Sequence, residues 1–140
     1  MTAAIVWFRR DLRLNDNPAL IAAAELKVPI IPLFIWSPQE EAPWAPGAAT
    51  KWWLHFSLES LQKSLEDSGL KLIIKSGSSL EVLEQTIKEA KADYVFWNRL
   101  YEPAIRSRDE KIKTSLKTNG IDVRSFNSHL LYEPWRLETA

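Results

Sequence analysis

The chain has 140 residues, in which 18 lysines and arginines balance 18 aspartates and glutamates, and it has no cysteine. That length suits one domain with a single hydrophobic core; the charge balance withholds the net positive field on which non-specific nucleic-acid binding relies, and the lack of cysteine removes disulfides, thiolate metal sites and a cysteine nucleophile. With no basic-then-apolar leader and no run approaching about 20 apolar residues, a soluble, unexported, cytoplasmic chain that does not engage a membrane is expected.

Ala3 to Phe8 form a nearly continuous apolar run, the pattern of a strand buried on both faces. Charge follows at once in Arg9, Arg10, Asp11, Arg13 and Asp16, and then a helix start: Asn17 caps by accepting a backbone N–H, and Pro18 suits the first helical position, where its missing N–H is no loss. The first helix should span about 18–27. A second buried strand covers Pro29 to Trp36, where Pro32 removes a ladder donor and predicts irregular pairing. The connection from Ser37 to Ala49 is long and broken by Pro38, Pro43, Pro46 and Gly47, a length that marks a functional or mobile loop.

A second helix at about 50–67 carries Leu54, Leu58, Leu61 and Leu65 as one apolar stripe and stops at Gly69. Residues 70–75 read as a third strand, and Leu80, Leu83, Ile87 and Ala90 mark the inner face of a third helix. Tyr94 to Trp97 make a fourth strand, Pro103 to Lys117 a fourth helix ended by Asn119-Gly120, and Ile121 to Phe126 a fifth strand. Strands alternating with helices imply right-handed crossovers and a parallel sheet covered on both faces. The expected fold is therefore a three-layer α/β/α domain over residues 1–126, with a five-stranded, doubly wound, Rossmann-like sheet of order 3-2-1-4-5. Most of the seven tryptophans lie in apolar strands or helices, where core packing is the expected role.

In such a sheet ligands bind beyond the carboxyl ends of the strands where strand order reverses, here between the turns after strands 1 and 4. The first of these turns carries Arg9, Arg10 and Asp11, and the second Asn98, Arg99, Leu100, Tyr101 and Glu102, with Trp36 and Ser37 near by. The chain has four glycines, none in the first turn, so neither the dinucleotide fingerprint nor a P-loop exists and nicotinamide redox chemistry is excluded. No catalytic or metal-binding constellation is visible. His55 reads as a packed or surface residue, His129 lies in the irregular tail, and Glu40 and Glu41 read as a solvated pair.

The wording Trp7-Phe8-Arg9-Arg10-Asp11-Leu12-Arg13-Leu14-Asn15-Asp16-Asn17-Pro18, followed by Pro32-Leu33-Phe34, Trp52-Trp53-Leu54-His55 and Trp97-Asn98-Arg99-Leu100-Tyr101-Glu102-Pro103, resembles the N-terminal domain of DNA photolyases and cryptochromes across nearly the whole chain. Photolyases repair ultraviolet-induced pyrimidine dimers by light-driven electron transfer from a reduced flavin held in a following helical domain. The resemblance implies a light-harvesting and scaffold domain, inactive alone, whose partners are the helical FAD-binding domain of the same parent chain and, through it, damaged DNA. It also implies a monomeric fragment, with residues 127–140 beginning the link to that domain. A cryptochrome-type blue-light signalling domain, or a free-standing α/β ligand-binding module, is the alternative.

An antenna pigment is the cofactor that the resemblance adds: methenyltetrahydrofolate first, deazaflavin or FMN second. A flat ring needs apolar walls and a few polar groups, and Arg9, Ile35, Trp36, Ser37, Lys51, Asn98, Leu100 and Glu102 are the candidates. In one folate-binding type an Asn-Glu pair follows the Tyr-Glu of this motif, where Ala104 and Ile105 stand here. In deazaflavin-binding relatives an acidic residue precedes the glutamate by two, where Leu100 stands, while Glu102 is retained; a basic residue before the second helix also contacts that pigment, and Thr50 and Lys51 stand nearest that position here. The Ala45 to Ala49 and Trp52 to His55 wording is closer to a bacterial branch that binds folate differently. The loop arginines are expected to act as scaffold, pairing within the loop and against the helical domain, with Arg106 and Arg108 doing likewise beside Asp109.

Overall fold

The computed structural model describes residues 3–9, 12, 17–37, 48–100 and 103–126. Within them the chain order is β1 (Ala3–Phe8), α1 (Pro18–Glu25), β2 (Ile30–Trp36), α2 (Ala48–Asp67), β3 (Ile73–Ser76), α3 (Ser79–Ala90), β4 (Ala92–Asn98), α4 (Pro103–Thr118) and β5 (Asp122–Phe126). The strands form one parallel sheet of order β3-β2-β1-β4-β5, as expected. Every residue of β1 is buried, which is what a central strand covered on both faces requires.

Alternate residues along the strands feed two cores. Ile5, Trp7, Leu33, Ile35, Val95, Trp97 and Val123 face α3 and α4 through Val82, Leu83, Ile112 and Leu116. Ala4, Val6, Phe8, Phe34 and Phe96 face α1 and α2 through Ala19, Ala23, Leu61 and Leu65. The leucine stripe of α2 accounts for its docking, since Leu61 and Leu65 are fully covered while Leu54 and Leu58 pack at the margin. Trp7 and Trp97 meet edge to face at 5.2 Å in the middle of the α3/α4 side.

Four expectations need correction. Pro32 leaves the ladder regular, pairing in register with Val6. Ala4 donates to the Pro29 carbonyl, and alternate residues turn their polar groups to opposite neighbours, so the missing donor of Pro32 faces β3, whose pairing begins only at Leu33. The third strand starts at Ile73 rather than 70, because Gly69, at φ +81°, closes α2 and Leu70 N–H then bonds the Leu65 carbonyl. The first helix ends at Glu25, with Lys27 in the left-handed region at φ 56°.

The tryptophans, finally, are not all core residues. Trp52 and Trp53 are 67% and 53% exposed, and Phe56, in contact with Trp52, is 50% exposed. At 100° per residue Trp52 and Phe56 fall on the side of α2 opposite the leucine stripe, and Trp53 falls well away from it. Trp7 and Trp97 are buried and Trp36 is half-buried, whereas Trp44 and Trp135 lie outside the described residues.

Candidate functional site

The carboxyl ends of β1 and β4 lie side by side at the point where strand order reverses, and two polar networks join them. Asn17 accepts Leu20 N–H at 3.1 Å through Oδ1, the expected cap of α1. Asn98, from the end of β4, completes it: its Oδ1 accepts Ala19 N–H at 3.1 Å while its Nδ2 donates to Asn17 Oδ1 at 2.7 Å. Both asparagines are fully buried. Together they occupy the helix N-terminus at which a doubly wound fold ordinarily receives a phosphate. That blockade agrees with the absence of a glycine-rich turn.

On the other face, Arg9 is 7% exposed and donates from Nη1 to Asp109 Oδ2 at 2.6 Å and from Nη2 to the Asn98 carbonyl at 2.9 Å. Asp109, on α4, also accepts from Arg108 Nε and Nη2 through Oδ1 at 3.2 and 3.0 Å. Both guanidinium groups lie against the Trp7 ring, at 4.8 Å for Arg9 and 5.2 Å for Arg108. One carboxylate thus serves two arginines over an indole face, and Arg9 bridges the β1 turn to the β4 backbone. The scaffold role expected of a loop arginine is met inside the domain, with α4 as its partner.

The remaining candidates divide by face. Ile35 is buried in the α3/α4 core, whereas Trp36 packs half-buried on the α1/α2 side, against the same core as Leu54 and Leu58 of α2. Neighbouring strand residues point to opposite faces, so the two do not form one wall. Ser37 is half-buried directly after Trp36, and Lys51 is exposed on α2 one turn ahead of Leu54. Leu100 is half-buried beside α4, where it lines a cavity with Trp97 and Arg99. Arg99 itself donates to Ser125 Oγ and O at 3.0 and 3.1 Å and so pins β4 to β5.

Glu102, Arg10, Asp11, Arg13, Asp16, Tyr101, Glu40, Glu41 and His129, with the side chain of Thr50, lie outside the described residues. His55 is a surface residue 3.5 Å from Glu59 on the same helix. Among the described residues no cluster of His, Cys, Asp and Glu suits a metal ion, and no helix is long and apolar enough to cross a membrane.

A sheet of this order, with the ends of β1 and β4 side by side at its reversal point and a first helix capped by two asparagines, defines a doubly wound α/β domain. Residues 4–140 match the family model described as DNA photolyase, and the chain belongs to that family as an N-terminal photolyase/cryptochrome domain. It is similar to the class III photolyase of Agrobacterium tumefaciens, with a TM-score of 0.91 and 45% identity over 99% of this chain and 28% of that one. It is also similar to the photolyase of Sulfolobus tokodaii, solved with two FAD molecules and an implied novel light-harvesting cofactor; there the TM-score is 0.86 and the identity 29%, over 99% of this chain and 32% of that one. Cryptochrome-1 of Arabidopsis thaliana is 48% identical over 96% of this chain and 20% of its own length. The chain therefore spans between about a fifth and a third of the relatives that it matches.

Proposed function

We propose that the domain is the light-harvesting and scaffold part of a deoxyribodipyrimidine photolyase. The observation that carries this reading is the rim: Arg9 tied to the Asn98 carbonyl at 2.9 Å, fixing the turns of β1 and β4 at the sheet's reversal point. The family binds a flavin and an antenna pigment. In this reading FAD sits in a helical domain of the parent chain, connected through the segment that begins after β5 at Asn127, and damaged DNA is met through that domain.

The pigment, methenyltetrahydrofolate in first place and deazaflavin or FMN in second, would lie on the Trp36 side of the rim. The residues there suit a planar anionic ring: a half-buried indole for the face, with the Ser37 hydroxyl and the exposed Lys51 ammonium for polar edges. Arg9 and Asn98 hold this rim through their internal bonds, and Leu100 and Ile35 back it from the α3/α4 side. The pigment, when bound, supplies only absorption and excitation transfer; the residues of this chain supply position.

An absorption spectrum of freshly purified full-length protein, combined with a blue-light repair assay on pyrimidine-dimer DNA, tests the reading. A pigment band beside the flavin bands, together with light-dependent loss of dimers, is expected. A second reading, a blue-light signalling domain of the cryptochrome kind, is favoured by the 48% identity to cryptochrome-1, about equal to the 45% shared with the Agrobacterium photolyase. A flavin-containing protein that leaves dimers intact under light would decide for it.

A further inference from the structure

The described residues include three asparagines, Asn17, Asn98 and Asn119, and the fold gives each a different chemical environment. An asparagine side chain can close on the backbone nitrogen of the next residue when that nitrogen has a proton to lose, the two atoms can meet and no side chain crowds the approach. Asn17 precedes Pro18, whose nitrogen carries no proton. Asn98 is buried, bonded through both Oδ1 and Nδ2, and followed by Arg99, whose N–H is held by the Phe126 carbonyl at 2.8 Å. Neither can react.

Asn119 differs on every count. It lies exposed in the turn after α4, and with Gly120 it forms the only Asn-Gly pair of the sequence. Gly120 is exposed too, at φ +84°, and no atom lies within 4 Å of where a Cβ would stand. Its N–H bonds the Lys117 carbonyl at 3.0 Å, and Ile121 N–H bonds the Leu116 carbonyl at 3.1 Å. These are the closing bonds of the helix end, where fraying is easiest, so the Gly120 nitrogen is released without unfolding the domain.

We propose that Asn119 is a site of spontaneous covalent modification, with water as the only co-reactant. The Gly120 nitrogen loses its proton and bonds to Asn119 Cγ, the Cγ–Nδ2 bond breaks, and Nδ2 leaves as ammonia, which closes a five-membered imide. Water then adds to one of the two imide carbonyls and opens the ring. The product is aspartate, or isoaspartate where the main chain now runs through Cγ. Either form places a negative charge at the carboxyl end of α4, where the helix dipole opposes it. The isoaspartate also inserts a methylene between α4 and β5, the strand whose Ser125 holds Arg99. The inference is independent of the pigment and repair readings.

Peptide mapping by mass spectrometry tests it, on intact folded protein held in mildly alkaline buffer and on the same protein unfolded in urea. In the folded protein the Asn119 peptide should gain one mass unit, separate into aspartate and isoaspartate forms, and accept a methyl group from an isoaspartyl methyltransferase. The Asn17 and Asn98 peptides should stay unchanged. Asn119→Gln, whose longer side chain disfavours ring closure, should abolish methylation of that peptide, and Asn119→Asp should melt below Asn119→Gln. An Asn119 peptide that stays intact in the folded protein while the unfolded chain converts, or conversion at Asn98 at a comparable rate, would overturn the proposal. An Asn119→Asp protein that melts no lower would overturn the stated effect on the α4 end.

Discussion

The two sides of the central strand pair are joined by different chemistry. On the α1 side, neutral amides close the gap: Asn98 and Asn17 share a hydrogen bond at 2.7 Å and together take two N–H groups of the helix start. On the α4 side, one carboxylate holds two guanidinium groups over the Trp7 ring. The neutral network satisfies donors that would otherwise be buried without acceptors, and losing a member costs the desolvation of what remains. The ionic network carries a larger penalty when broken, because a buried guanidinium then lacks its countercharge.

Asp109→Ala should therefore give the largest loss, about 3–5 kcal/mol, because it removes the countercharge of a guanidinium whose side chain is 5% exposed. Urea denaturation measures it; a loss no larger than that of Asn98→Ala would remove the distinction between the two sides. Asn98→Ala should cost about 1–3 kcal/mol, and Asn17→Ala about 1 kcal/mol as a lost cap. Their double variant should fall short of the sum by about 0.5–3 kcal/mol, since the two side chains bond each other. Strict additivity would show that the amides act separately.

Lys113 sharpens the ionic side further. Its folded pKa is lowered, so between that value and the unfolded one the unfolded chain binds more protons and stability rises with pH. Its contribution is unfavourable at neutral pH and relieved as pH climbs toward 10.5. Lys113→Gln should show a slightly higher melting temperature at pH 7 and a smaller gain than the parent on going to alkaline pH. The smallest effect is expected away from both networks. Lys91 ends α3 in the left-handed region at φ 55°, and Lys91→Gly should stabilise by up to about 1 kcal/mol by relieving the Cβ clash.

The sheet was legible because each strand is a short apolar run set between helix signals, and right-handed crossovers leave few orders for such a pattern. The α1 start was legible for a local reason, since Asn17 and Pro18 are neighbours in sequence. The second half of that cap was not, because Asn98 lies 81 residues away and no local rule connects an asparagine at a strand end to a distant helix. Arg9 is legible as a loop cation, but no local rule names its partner, because Asp109 stands 100 residues on. The split of Ile35 from Trp36 was available in principle from strand alternation. The exposure of Trp52 and Phe56 was likewise available from the helical wheel of α2, where the leucine stripe leaves them on the far side.

The central claim is that Arg9, Asn98 and Asp109 form the frame of the rim while Trp36 presents its ligand-facing wall. The pigment-to-chain ratio of purified full-length protein, taken from absorption spectra of the parent and of Trp36→Ala, tests this most directly. A pigment band present in the parent and lost from a Trp36→Ala protein that still holds its flavin is the expected result. Undiminished pigment in Trp36→Ala, or a parent that carries flavin alone, would contradict the account.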